Sequence, residues 1–126
     1  MVTAVTTTKA TGDAAEASAL AHLLRQGLTL VQRNYRVARG PRARGGEIDL
    51  FLRERDGTLV FVEVRSRRSA AHGGAAASVS PAKQRSLVLA AQHFLRAQRD
   101  LPPCRFDVIA IDGERVEWLR AAFDAG

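Results

Sequence analysis

Apolar residues recur along the chain with two periods, and the change from one to the other marks the predicted elements. From Thr11 to Gln26, Ala15, Ala19, Leu20, Leu23 and Leu24 repeat at helical spacing, and Gly27 offers a left-handed stop. Leu28 to Val37 mixes β-branched, aromatic and polar residues and predicts a strand. Two further strands, Glu47–Arg53 and Thr58–Arg65, flank the turn signal Arg55-Asp56-Gly57. Helical spacing returns after Ser80, an N-cap followed by Pro81 in the first turn, where the missing amide needs no partner. Leu87, Val88, Ala91, Phe94 and Leu95 are expected to face inward, and the helix runs to about Arg99, ahead of Pro102-Pro103. Arg105–Ile111 and a short Val116–Leu119 complete the set as strands. The predicted order is α-β-β-β-α-β-β: an α/β protein with a mixed central sheet flanked by helices.

Between these elements lie three segments expected to be irregular. Residues 1–10 read as a flexible tail, leaving 11–126 as one domain. The basic stretch Arg39 to Gly46 and the Ala/Gly-rich stretch Arg67 to Ser78 read as mobile loops. The length, 126 residues, suits a single domain. Of the 46% apolar residues, Ala supplies 22, so the larger ones fill one core rather than two. No apolar run reaches the roughly 18 residues of a membrane span. The Thr-rich start does not resemble a secretory signal, and the lone Cys104 forms neither a disulfide nor a Cys-based zinc site. A cytoplasmic protein is expected, with no membrane partner.

Pairing of the two central strands carries the sharpest expectation. Strand alternation puts Glu47 and Asp49 on one face, opposite Ile48 and Leu50, and Glu63 and Arg65 opposite Val62 and Val64. A two-residue turn at Asp56-Gly57 would set Asp49 across from Val64 and drive one polar set into the core. A three-residue loop, Arg55-Asp56-Gly57 with a left-handed glycine, sets Asp49 across from Glu63, Glu47 across from Arg65 and Phe51 across from Phe61. A slip of one residue would invert the faces, so the hydrophobic pattern selects the second register. Opposed carboxylates, with Cβ atoms about 5 Å apart, repel unless a proton or a cation lies between them. Mg²⁺, which binds through one or two carboxylates and keeps several waters, suits that geometry. The plainer alternative is that these acids pair with nearby arginines on a solvated face.

Charge sharpens the picture. The net charge is +6, and the cations are 17 Arg and two Lys, Lys9 and Lys83. Ten of the Arg fall between Arg33 and Arg68, against five acids. A planar, permanently charged fork suits phosphate oxygens, so this stripe points to nucleic acid. His22, His72 and His93 have no metal-ligand spacing; His22 and His93 are expected at the partial surface, and only His72 lies in a loop able to visit a substrate. Tyr35 and Trp118 could stack on bases but are expected to pack, and Asp107 is expected to form a structural ion pair with Arg105.

The segments Gly46-Glu47-Ile48-Asp49-Leu50 and Phe61-Val62-Glu63-Val64-Arg65-Ser66-Arg67 resemble the signature of the YraN family, an endonuclease-like bacterial group. The likeness extends to Gly12, Glu16, Asn34, Arg36, Val79, Lys83, Arg105-Phe106-Asp107-Val108 and Ala122-Phe123. That family in turn resembles the PD-(D/E)XK nuclease superfamily, which implies a restriction-endonuclease-like αβββαβ core and hydrolysis of DNA phosphodiesters, with branched or damaged DNA as candidate substrates. By this resemblance Asp49 and Glu63 hold Mg²⁺ or Mn²⁺, and Glu16 contacts the metal through water. The Arg39–Arg44 loop, with Arg39, Arg42 and Arg44, would grip the nucleic-acid backbone, together with Arg67 and Lys83. Many such nucleases work as homodimers. Ile48 stands where the motif has Pro, and Arg65 where it usually has Lys. Arg cannot release its proton and so cannot act as a base, although it can stabilise phosphate charge. Lys83 is either a migrated amine at the site or, the favoured expectation, a helix-start residue on solvent. A nucleic-acid-binding protein that keeps the fold without cutting is the principal alternative, and a domain whose basic face docks an acidic protein is a weaker one.

Overall fold

The computed structural model describes residues 8–38, 45–66 and 79–125. The elements are α1 (Thr8–Arg25), β1 (Thr29–Val37), β2 (Gly46–Arg53), β3 (Leu59–Ser66), α2 (Pro81–Arg96), β4 (Cys104–Asp112) and β5 (Arg115–Phe123). The five strands form one sheet in sequence order, with β3 and β4 parallel and the other neighbours antiparallel. The architecture is therefore a mixed α/β sheet flanked by two helices. The expected loops at Arg39 to Arg44 and Arg67 to Ser78, with His72, and most of the expected tail, lie outside the described residues. Among the described residues, no helix is long and apolar enough to cross a membrane.

Alternation sorts the sheet's side chains into two cores. On the α1 side, Ala15, Ala19, Leu23 and Leu28 pack with Leu50, Leu52, Val60, Val62, Ile109 and Ile111. On the α2 side, Leu87, Ala90 and Ala91 pack with Phe51, Leu59, Phe61, Phe106, Val108 and Ala110. Two expectations about the helices need correction. Leu24 is 47% exposed, because a helix turns about 100° per residue and Leu24 falls off the stripe that Leu23 ends. Ala90, absent from the expected inner face, is fully buried, because β2 passes directly over it: a Cβ on Gly46 would lie 2.6 Å from the Ser86 carbonyl oxygen and 2.7 Å from the Ala90 nitrogen. The α2 start matches its signal, with the Lys83 N–H donating to Ser80 Oγ at 3.2 Å and Pro81 in the first turn.

The central hairpin has the three-residue loop. The Glu54 N–H donates to the Thr58 carbonyl, Gly57 adopts φ +95°, and Leu50, Phe51 and Leu52 lie opposite Val62, Phe61 and Val60. Beyond Leu50 and Val62 the two strands part. β2 keeps pairing with β1 as far as Gly46 opposite Val37, whereas β3 keeps pairing with β4 as far as Ser66 opposite Ile111. Glu47 thus does not face Arg65 as expected; it faces Arg36 on β1.

β5 is nine residues long rather than four. It continues past Leu119 because Ala121 turns left-handed (φ +51°), its N–H donates to Asp107, and Phe123 stacks on Phe106 at 5.1 Å. Conversely, α2 ends at Arg96, short of Arg99, with the Ala97 N–H donating to the Phe94 carbonyl and the Gln98 N–H to the Leu95 carbonyl.

The close β2–α2 approach at Gly46 fixes the strand that bears the acids. Gly46→Ala should cost about 1–3 kcal/mol through overpacking, read as a lower urea midpoint; an unchanged midpoint would contradict this packing.

Candidate metal and phosphate site

Where β2 and β3 part, the sheet opens a fork, and Asp49 fills it. The Val64 N–H, which has no β2 carbonyl opposite it, donates instead to Asp49 Oδ2 at 3.0 Å. Glu63 precedes Val64 and is only 2% exposed, and its carboxyl lies close enough to that of Asp49 for their charges to interact. A fork between strands has spare donors for a carboxylate, which a continuous ladder would consume.

Three chain segments supply the surrounding charge. Lys83, in the first turn of α2, places Nζ 3.6 Å from Glu63 Oε1. This corrects the expectation of a solvent residue: the Ser80 cap starts the helix beside the fork, and the lysine stem reaches back to the acid. Arg65 on β3 brings Nη1 to 3.9 Å from the same oxygen, and its Nε is buried with no partner among the described residues. Glu16 on α1 is near enough to Asp49 for their charges to interact, and Glu16 Oε1 is likewise buried and unpartnered among the described residues. The structure thus gathers Asp49, Glu63, Glu16, Arg65 and Lys83. Arg39, Arg42, Arg44 and Arg67 lie outside the described residues.

Burial controls the protonation of the acids. Desolvation, and then the Asp49 charge, push Glu63 up to about 8 against the opposing pull of Lys83 and Arg65. Asp49 is raised by burial, moderated by the Val64 N–H, and Glu16 is raised by burial and then by Asp49. At neutral pH Glu63 therefore keeps a proton beside Asp49, which relieves the repulsion that a cation would otherwise relieve. Among the described residues, no three His, Cys, Asp or Glu side chains stand close enough to ligate one ion. The donor set is one buried and one half-buried carboxylate with no third ligand among the described residues, so an ion held there would keep several waters, as Mg²⁺ does.

One break in the strand pattern escaped the sequence reading. Ile48 and Leu50 were expected on one face, but Ile48 packs on the α2 side and Leu50 on the α1 side. Their partners across β1 divide the same way: Tyr35, opposite Ile48, packs on the α2 side, while Arg33 lies opposite Leu50. Between them is Asn34, left-handed at φ +51°. Asn tolerates that region better than most residues, so the only legible signal was an Asn inside a strand.

The remaining candidates have structural roles. Asp107, 1% exposed, accepts from Arg105 Nε at 3.0 and 3.2 Å, Trp118 Nε1 at 2.8 Å and the Ala121 N–H at 2.9 Å. Tyr35 packs edge-on to Phe51 and Phe94 and bonds His93 Nδ1 through its hydroxyl at 2.6 Å. Trp118 meets His22 edge-on and lies under the Arg120 guanidinium.

The Glu63 proton has a consequence for stability. An unfolded Glu ionises near 4.5, whereas native Glu63 keeps its proton up to about 8. Between these values the native state binds more protons, so this group's contribution is full below pH 4.5 and is lost as pH rises towards 8. Glu63→Gln should melt like the parent at pH 4.5 and several degrees higher at pH 8, read by thermal scans; parallel profiles would contradict the buried acid.

Residues 15–111 match the model of an uncharacterised protein family, UPF0102. A UPF0102 protein of Methylibium petroleiphilum is 68% identical over 94% of this chain and 98% of its own length. Relatives of the same description from an Acidovorax species and from Cupriavidus necator are 61% and 57% identical, over 94% and 93% of this chain and 88% and 85% of theirs. Together with the fold, these matches show that the chain belongs to the UPF0102 family, the group anticipated as YraN.

Proposed function

We propose that this protein is a metal-dependent phosphodiesterase of the PD-(D/E)XK type acting on DNA. The observation that carries this reading is the pair of buried carboxylates, Asp49 and Glu63, held together in the strand fork and flanked by two cations. Burial and the Asp49 charge raise Glu63 even with Lys83 and Arg65 at ion-pairing distance, as expected of an acid that awaits a further cation. The unpartnered Glu16 Oε1 beside them fits a water held between α1 and the ion.

In this reading Asp49 and Glu63 hold Mg²⁺ or Mn²⁺. The ion, when bound, supplies Lewis acidity to a phosphoryl oxygen and acidity to a water. The chain's own groups do the rest. Glu16 orients water on the α1 side of the fork. Arg65 presents its planar guanidinium to the oxygens of the scissile phosphate and stabilises charge that develops there. The Lys83 ammonium holds Glu63 Oε1 and adds a second positive charge at the phosphate. Burial of Glu63, which lies opposite Val108 on β4, excludes bulk water from one side of the pair and strengthens each of these interactions.

Arg65 also favours a second reading. A guanidinium in place of an ionisable amine suits a protein that grips nucleic acid without cutting it.

The two readings part on one assay. With Mg²⁺ or Mn²⁺ and linear, nicked, flapped or four-way-junction DNA, the parent should cleave at least one substrate. Asp49→Ala and Glu63→Ala should each lower the rate about 100-fold or more, the scale of losing a preorganised electrostatic group, and chelation should abolish it. Cleavage unchanged in both variants would contradict the nuclease reading, and tight binding without cleavage would support the second.

A further inference from the structure

The break at Asn34 determines which way the β1 arginines face. Had β1 alternated throughout, Arg33 and Arg36 would project to opposite faces. Arg33 lies opposite Leu50, whose side chain packs on the α1 side, and directly opposed residues of antiparallel strands share a face. Arg36 lies opposite Glu47, and its Nε is 3.6 Å from Glu47 Oε1. Both Arg33 and Glu47 are within electrostatic reach of Glu16 on α1. The left-handed Asn34 thus brings Arg33 and Arg36 to one side, about 10 Å or less apart at three strand residues. β1 is an edge strand, and the Arg36 side chain is 73% exposed.

The acids consequently have cations on both flanks. Arg65 and Lys83 stand at Glu63, where α2 begins, and Arg33 and Arg36 stand on the Glu16 side. A mononucleotide or a terminal phosphate needs only one flank. A chain of phosphates that continues past the cleaved bond in both directions uses two.

We propose that Arg33 and Arg36 form a phosphate-gripping arm on the α1 side of the fork, so that the site takes an internal phosphodiester of a polynucleotide running across it. This rests on the nuclease reading, and it assigns to β1 a substrate contact separate from the acids.

The test is equilibrium binding of a fluorescein-labelled DNA duplex by the full chain, with Ca²⁺ in place of Mg²⁺, over a range of salt. Each phosphate contact contributes about 0.9 to the slope of log affinity against log salt. The variant carrying both Arg33→Ala and Arg36→Ala should therefore lose about 1.8 of slope and bind more weakly. The corresponding double lysine variant, which keeps both charges, should retain most of the slope. An alanine variant with the parental slope would overturn the arm while leaving the nuclease reading standing, and a parent that binds no DNA would overturn both. An arginine-dependent slope in a parent that cleaves nothing in Mg²⁺ would support the arm and overturn hydrolysis.

Discussion

Two carboxylates buried side by side cannot both stay charged in a low-dielectric setting unless something positive lies between them. Asp49 and Glu63 are under that constraint, and the rest of the site follows from it. The fork supplies one free backbone donor, that of Val64, and it goes to Asp49. Glu63, whose cationic neighbours among the described residues are Lys83 and Arg65 at the outer limit of ion pairing, is left to hold a proton. Such an arrangement costs stability near neutral pH, and proteins concentrate perturbed acids of this kind where they bind and react.

The pairing of the outer strands holds that fork open. Phe51, Phe61 and Phe106 stack across the α2 face and lock β2, β3 and β4 in register on the closed side of the fork. Past Leu50 and Val62, β1 takes β2 one way and β4 takes β3 the other. Each helix then adds a side chain to the gap, Glu16 from α1 and Lys83 from α2. On β4, opposite Val62, Asp107 binds Arg105, Trp118 and the Ala121 backbone and ties β5 to the sheet.

The closed side of the fork was legible in the sequence. A one-residue slip would have exposed Val60 and Val62, and Gly57 supplies the left-handed position that a three-residue loop demands. The layering and the Ser80-Pro81 helix start were legible for the same reason: local patterns and caps agreed with the global fold. The open side was not. Alternation assumes an unbroken strand, and nothing but a single Asn warned that faces change over at Asn34 and Asp49. The reach of Lys83 to Glu63 depends on how α2 crosses β2, which no spacing encodes. The extension of β5 was hidden by the stretch Arg120-Ala121-Ala122, whose strand character comes from its bond to Asp107 rather than from propensity.

The central claim is that Asp49 and Glu63 together bind one divalent ion. It is tested most directly by a crystal structure grown with Mn²⁺ at pH 8 and examined for anomalous scattering. The account requires a single peak bridging the two carboxylates, with waters completing the shell and one of them on Glu16. A well-ordered fork with no peak, or a peak bound elsewhere in the molecule, would contradict it.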